Sequence, residues 1–358
     1  MCKKKKAAVI ILLVLLIPFA CALWIIVQNK CCSSSYDQLN DTDQRMLAEY
    51  NQLYEAMQSN ELWADFDLLN KPILALSRDS WNTYLINAKD QPTHLLTKKI
   101  VMPDDFKIQS VYRITPITPQ VVKIRLDVGS SFNTIGTTYT LFDNDVYYLK
   151  YTAAESFDKP YSGSHFAPFL VHESFHYYMQ NDWKIFKIPQ SSLNDDGIAL
   201  LKDEYRVIDH IVAELNSKKS REQLLLFAKQ YVDIVAKRLE NNQEYVLSEL
   251  SHETAEGTAQ YLTIKASQMV GYDYGVMYFD NITNVPFLDI FQQIDAGNFS
   301  VQYLYDKMPY QTGAQLCLLF DELDIPNWQE KLNAQTLEYP INLYDILKEY
   351  VDDTLSEE

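Results

Sequence analysis

His172-Glu173-Ser174-Phe175-His176 is the stretch that decides how this chain is read. It lies in an apolar, aromatic run (Phe169, Leu170, Val171, Phe175, Tyr177, Tyr178, Met179) that favours a buried helix. On a helix, positions i and i+4 lie one above the other on the same face. This spacing lets His172 and His176 point an imidazole nitrogen at one zinc ion, with Glu173 beside them to take a proton from a water. The chain has only six histidines, so coincidence is a poor account of the spacing. The bland alternative is an amphipathic helix that carries two hydrogen-bonded histidines.

The N-terminus is a separate physical object. Lys3 to Lys6 form a basic cluster, and Ala7 to Val27 is a nearly unbroken apolar run with Pro18 inside it. Such a run is long enough to span a bilayer as one helix. The basic end stays cytoplasmic, which puts the rest of the chain outside. A lipoprotein anchored at Cys21 is the alternative. Ala20 precedes the cysteine as a lipobox requires, but Pro18 stands where an aliphatic residue is usual, and the apolar run continues past Cys21. Cys2, Cys21, Cys31 and Cys32 lie in or beside this segment, so the body, with Cys317 alone, has no internal disulfide. That suits a bacterial surface.

Size and charge bound the body. Its 358 residues, 47% hydrophobic with 9 glycines, give enough apolar surface for a large helix-rich core. The net charge is −17 despite the basic N-terminal cluster, which excludes nucleic acid as a partner. No Gly-x-Ser-x-Gly, phosphate loop or dinucleotide fingerprint is present.

Along the chain we expect a basic tail over 1–6, a transmembrane anchor over 7–27, a stalk over 28–41 and an extracytoplasmic body over 42–358. A helix follows from Thr42 to about Ser59, capped by Asp41 or Thr42. Residues 95–151 carry short β-rich runs: 98–102, 111–114 and 121–126. The runs 137–142 and 146–151 flank Asp143-Asn144-Asp145 and read as a hairpin. From 152 onward the chain reads as mainly helical, with long amphipathic stretches over 198–215 and 221–239, a helix from about Glu244 past Tyr261, and further helices over 301–324 and 341–350. The fold class is therefore α+β: a small mixed or antiparallel sheet lobe (42–151), then a mainly helical lobe (152–358), with the zinc site between them.

A catalytic zinc needs a third protein ligand. No histidine follows His176 closely, and the candidates lie in Ser251 to Tyr261, namely Glu256, its neighbour one turn earlier Glu253, and His252. Glu256-Gly257-Thr258-Ala259-Gln260-Tyr261 resembles the E-G-x-A-x-Y segment of the gluzincin metallopeptidases, the thermolysin-like superfamily, in its aminopeptidase-N-like branch. The resemblance implies that Glu256 is the third ligand of one zinc per chain. The small residues Gly257 and Ala259 would let this helix pack closely on the zinc helix. Pro309-Tyr310-Gln311-Thr312-Gly313-Ala314 is similar to the family's Y-x-K-G-a segment, which implies that Tyr310 stabilises an oxyanion. Thr312 stands where that segment has Lys. The chain departs from the family in the long separation of His176 from Glu256, filled by two amphipathic stretches. It also lacks a G-x-M-E-N segment, which puts exopeptidase action in doubt.

These readings imply a membrane-anchored zinc metallopeptidase acting on a peptide or protein. His172, His176 and Glu256 hold the metal, Glu173 moves the proton, and Tyr310 assists. Strand 146–151 would pair with extended substrate. The rival from another class is a catalytically inactive peptidase-fold surface protein that binds a peptide or protein partner.

Overall fold

The computed structural model describes residues 2–31 (backbone alone for 2–15), 34–89, 92–159, 163–184, 193–217, 220–272, 274 and 285–356. They form two compact units. The first takes Met1–Ser59 and Asp67–Lys159, the second Asn60–Phe66 and Pro160–Glu358. The short segment Asn60–Phe66 thus leaves the first unit before the chain returns to it.

The first unit is a six-stranded mixed sheet with helices. Helix α1 (Cys2–Cys31) precedes α2 (Asp41–Met57), and α3 (Pro119–Leu126) comes later. The strands are β1 (Ile73–Ser77), β2 (Thr83–Ile86), β3 (Thr97–Lys99), β4 (Val111–Ile114), β5 (Tyr139–Leu141) and β6 (Asn144–Tyr151), in the order β3-β4-β2-β1-β6-β5. Strands β1 and β6 pair in parallel, with Leu74 opposite Tyr148, and the other pairs are antiparallel. The two-residue pleat sorts side chains by face. Leu74, Leu76, Leu85, Tyr112, Ile114 and Tyr148 form one core layer with Val121 and Ile124 of α3.

Helix α2 is tied to the sheet by a buried carboxylate. Asp43 Oδ2 accepts from the Tyr84 hydroxyl (2.7 Å) and from Asn82 Nδ2 (2.6 Å), and Oδ1 accepts from the Tyr151 hydroxyl (2.6 Å). The helix starts at Asn40, whose side chain accepts from the Asp43 N–H, one residue earlier than the Asp41 or Thr42 cap expected. Asn29, Lys30 and Tyr36, within the expected stalk, are bonded to the strand-bearing part of the first unit. Arg113 donates to the Asn29 side chain and carbonyl, Lys30 donates to the His94 and Thr97 carbonyls, and Tyr36 N–H donates to the Val101 carbonyl.

Three expectations change here. Residues 121–126 are helical, because Pro119 sits at the first turn after Thr118 and fixes a helical φ at no hydrogen-bond cost. Strands β1 and β2 lie where no strand was expected. Strand β6 offers no open edge: β1 covers one side, and the other carries β5, the Phe132–Leu149 bridge and a Lys150 N–H bond to the Ser131 carbonyl. Substrate pairing along 146–151 is therefore withdrawn. The hairpin turn itself is tight, with Phe142 and Asp143 both at positive φ (49° and 61°), the geometry of a two-residue type I′ turn.

Among the described residues no helix is long and apolar enough to cross a membrane. The span expected at 7–27 falls in part on residues 7–15, whose side chains lie outside the description.

The second unit is helical: α4 (Phe166–Met179), α5 (Asp195–Asn216), α6 (Arg221–Asn241), α7 (Gln243–Met269), α8 (Asp289–Asp295), α9 (Tyr303–Asp306), α10 (Met308–Glu322), α11 (Trp328–Asn333) and α12 (Leu343–Ser356). Helix α4 is apolar on most of its surface, and Phe175 is fully buried against Trp63 (4.9 Å between ring centroids) and Phe66 (5.5 Å). Trp63 also donates to Asn333 Oδ1 (2.8 Å) and meets Trp328 edge-on. The α5–α6 hairpin is joined to α7 by an internal ion triad. Arg238 donates to Glu204 and to Glu249, each at 2.6 Å, with all three side chains buried.

Candidate metal centre

Three side chains from two helices of the second unit converge. His172 and His176 project from one face of α4, as their i, i+4 spacing dictates, and Glu256 projects from α7. The two Nε2 atoms are 3.1 Å apart. Glu256 Oε2 lies 3.2 Å from His176 Nε2 and 3.6 Å from His172 Nε2. A tetrahedral zinc with bonds of about 2.0–2.1 Å would set its ligand atoms about 3.3–3.4 Å apart. The observed triangle matches that edge length to within a few tenths of an ångström.

The other nitrogen of each ring is held, and the partners fix the tautomers. His172 Nδ1 is 3.0 Å from Thr263 Oγ1, whose own proton goes to the Ala259 carbonyl (3.0 Å). The threonine oxygen therefore accepts, and Nδ1 of His172 carries the proton. His176 Nδ1 is 2.6 Å from Gln180 Oε1. The Gln180 amide orientation is set by its nitrogen, which donates to the Ala255 carbonyl (2.8 Å) and to Thr258 Oγ1 (3.0 Å). In both rings Nε2 is the nitrogen left to face Glu256, where it can carry either a proton or a metal. Histidine ligands of metals are oriented in this way by a second hydrogen bond.

The electrostatics are those of a proton shared among three groups. Burial disfavours a charged His176, but the Glu256 carboxylate, and then Glu173, outweigh it and raise the imidazole to about 9. Burial opposes ionisation of Glu256 too, but His176 and the hydrogen bonds from both histidines hold its carboxyl well below the usual range. Burial is the main force raising the Glu173 carboxyl, against the attraction of His172 and His176 and with the repulsion of Glu256.

Tyr310, from the first turn of α10, is brought to the same place. Its ring lies parallel to His172 at 6.1 Å, and burial followed by the charge of the Glu256 carboxylate raises its hydroxyl pKa. The other candidates point elsewhere. Glu253 is buried between helices, accepting from Thr312 and, at 3.3 Å, from Tyr231. Its carboxyl is pushed up to about 8, chiefly by burial and then by Glu204. His252 stacks on Tyr305 and meets the Tyr310 ring edge-on at 5.7 Å.

One packing expectation is corrected. Gly257 makes room for α10, where it meets Gly313, and not for the zinc helix α4. Thr263 and Gln180 are the functional side chains that sequence reasoning passed over. Gln180 stands four residues after His176 and Thr263 seven after Glu256. That spacing becomes a signal once α4 and α7 are known to be neighbours.

Comparison of the chain with protein families, with curated proteins and with solved structures gives no match in any of the three.

Proposed function

We propose that this chain is a zinc-dependent peptidase of the gluzincin type, held at a bacterial membrane by its N-terminal apolar segment, with the body outside the cytoplasm. The observation that carries the reading is the convergence of His172 Nε2, His176 Nε2 and Glu256 Oε2 at 3.1–3.6 Å, with Glu173 adjoining. The donor set of two neutral imidazoles and one carboxylate is that of a hydrolytic zinc site, which keeps a fourth position open.

The residues divide the work. His172, His176 and Glu256 would hold the ion, with the two imidazoles oriented by Thr263 and Gln180. When bound, zinc supplies Lewis acidity toward a water and toward the scissile carbonyl. Glu173, its carboxyl already raised toward neutrality by burial, takes the water proton and delivers it to the leaving amine. The Tyr310 hydroxyl, close enough to Glu256 for the carboxylate charge to raise its pKa, donates to the oxyanion as charge develops.

The test is metal content and peptide turnover in the full chain, for wild type, Glu256→Ala and Glu173→Gln. The reading expects one zinc in wild type, none retained in Glu256→Ala, and zinc retained with turnover down about a thousandfold in Glu173→Gln. Absence of zinc in wild type after supply at neutral pH would overturn it. Zinc without turnover against a broad peptide library would leave a non-catalytic metal-binding surface protein.

A further inference from the structure

The first unit holds a cavity of about 350 Å³ that the proposed peptidase chemistry does not use. Arg78, Asp79 and Trp81 line it from the end of β1 and the turn to β2, Arg125 and Val128 from the end of α3, and Lys150 from β6. Three cations thus share one cavity in a chain whose net charge is −17. Among the described residues none of the three is in an ion pair with a carboxylate.

Their bonds explain how they are held without acids. Arg125 donates to the Ser77, Ser80 and Asn82 carbonyls (2.9, 3.5 and 2.8 Å) and to Thr83 Oγ1 (2.8 Å), and its Nε–H is buried without an acceptor, so it lends the cavity its charge and no free N–H. Lys150, nine-tenths buried, donates to the Asp127 and Ser130 carbonyls, which leaves one of its three N–H bonds unused. Asp79, the one acid in the lining, accepts from the Ala153 N–H (2.6 Å). The hydrogen bonds that fix Arg125 and Lys150 go to neutral oxygens, and Asp127 is the carboxylate whose charge acts most on Lys150. Burial lowers the Lys150 pKa, Asp127 opposes this, and the proximity of Arg78 and Arg125 lowers it further. Lys150 is buried, Arg125 half-buried and Arg78 exposed, and repulsion among the three like charges is relieved by a bound anion.

The rim adds a second preference. Trp81 is 71% exposed and Val128 79% exposed, and the Arg125 guanidinium carbon lies 5.5 Å from the Trp81 ring centroid. An exposed aromatic plane beside fixed donors suits a ligand with a flat apolar group next to its charge. Donors offered from two separate elements, Arg78 after β1 and Lys150 on β6, with a third positive charge beside them, suit a doubly charged tetrahedral oxyanion better than a planar carboxylate, which a single guanidinium fork serves.

From this arrangement we infer that the cavity is a binding site for a small phosphate monoester carrying an aromatic or apolar group. Arg78 and Lys150 donate to the phosphate, Arg125 adds its charge from behind them, and Trp81 and Val128 flank the organic part.

The probe is phenyl phosphate, followed by Trp81 fluorescence and calorimetry on the full chain. The His176→Ala background prevents a metal at the other site from holding the anion. The site predicts one molecule bound per chain, benzoate weaker by about tenfold, and loss of the fluorescence response in Trp81→Phe. Arg78→Glu changes an exposed side chain and should weaken binding by about tenfold or more. Lys150→Gln, checked for folding by circular dichroism, should do the same. No binding at millimolar concentration, equal binding of benzoate, or affinity unchanged in a folded Arg78→Glu protein would each overturn the assignment.

Discussion

Gly257 and Gly313 meet backbone to backbone where α7 crosses α10: a Cβ placed on Gly313 would lie 2.7 Å from the Gly257 Cα, closer than real atoms approach. Glu256 is next to one of these glycines, and Tyr310 lies three residues before the other. The crossing therefore sets the distance between the carboxylate and the phenol. Gly257→Ala or Gly313→Ala must push the helices apart, at a cost of about 1–3 kcal/mol from overpacking. Thermal unfolding should show that loss in both variants. Metal affinity should fall more in Gly257→Ala, which displaces the ligand Glu256 directly. A Gly257→Ala protein as stable as wild type would refute the close crossing.

The orienting bonds to the histidines give a graded expectation. Thr263→Val removes the acceptor for His172 Nδ1–H, and Gln180→Leu removes the one for His176. Each should weaken zinc binding about 10–100-fold, as loss of such partners does at other metal sites. Competition against a chelator of known affinity measures it. Thr263→Ser keeps the acceptor and should stay near wild type.

Zinc uptake should be coupled to proton release. Without metal, His176 is raised to about 9 from its ordinary 6.5, so the stabilisation it gains from Glu256 is complete below pH 6.5 and is lost as pH rises through 9. Glu256 works in the opposite sense. Its carboxyl is depressed, so its contribution is present above the usual carboxylate range and is lost only on strong acidification. A metal and the Nε2 proton compete for one lone pair. Calorimetry in buffers of different ionisation heat should find about one proton released per zinc at pH 7, falling toward zero above pH 9. A proton count independent of pH would contradict the shared-proton geometry.

Asp43 offers a test of the sheet unit alone. Its two oxygens take protons from Tyr84, Tyr151 and Asn82 in a dry site. Asp43→Ala strands these donors, and we expect a loss of about 3–5 kcal/mol in denaturant unfolding of the first unit. The double change Tyr84→Phe with Tyr151→Phe should depart from the sum of the two single changes, because both hydroxyls bond to the one carboxylate of Asp43.

What the sequence made legible follows from the range of the interactions. His172 and His176 share a helix, so four residues of spacing suffice to put them on one face. The hairpin is a local pattern as well, though its turn falls at Phe142-Asp143 and not at Asp143-Asn144-Asp145, and so are the long helices α5, α6 and α7. Glu256 needed a resemblance, because Glu253 has equal standing on a helical wheel until Thr312 and Tyr231 are seen to claim it. Strand β1 has all five residues buried, so it shows no alternation to read. Residues 121–126 look β-branched enough for a strand, and a proline two positions upstream decided otherwise. Thr263, Gln180 and the cations around Trp81 are joined by tertiary contacts that no short window contains.

The excursion of Asn60–Phe66 into the helical unit has a consequence for how the protein is made. Trp63 bonds to Asn333, a partner 270 residues further along the chain. The ribosome therefore delivers the cover for Phe175 first and its anchoring helix almost last. A fragment starting at residue 160 would present the back of α4 bare, and should be insoluble unless a peptide spanning 60–66 is supplied in trans. Whatever handles the growing chain must keep that early aromatic segment unengaged until nearly the whole polypeptide has emerged.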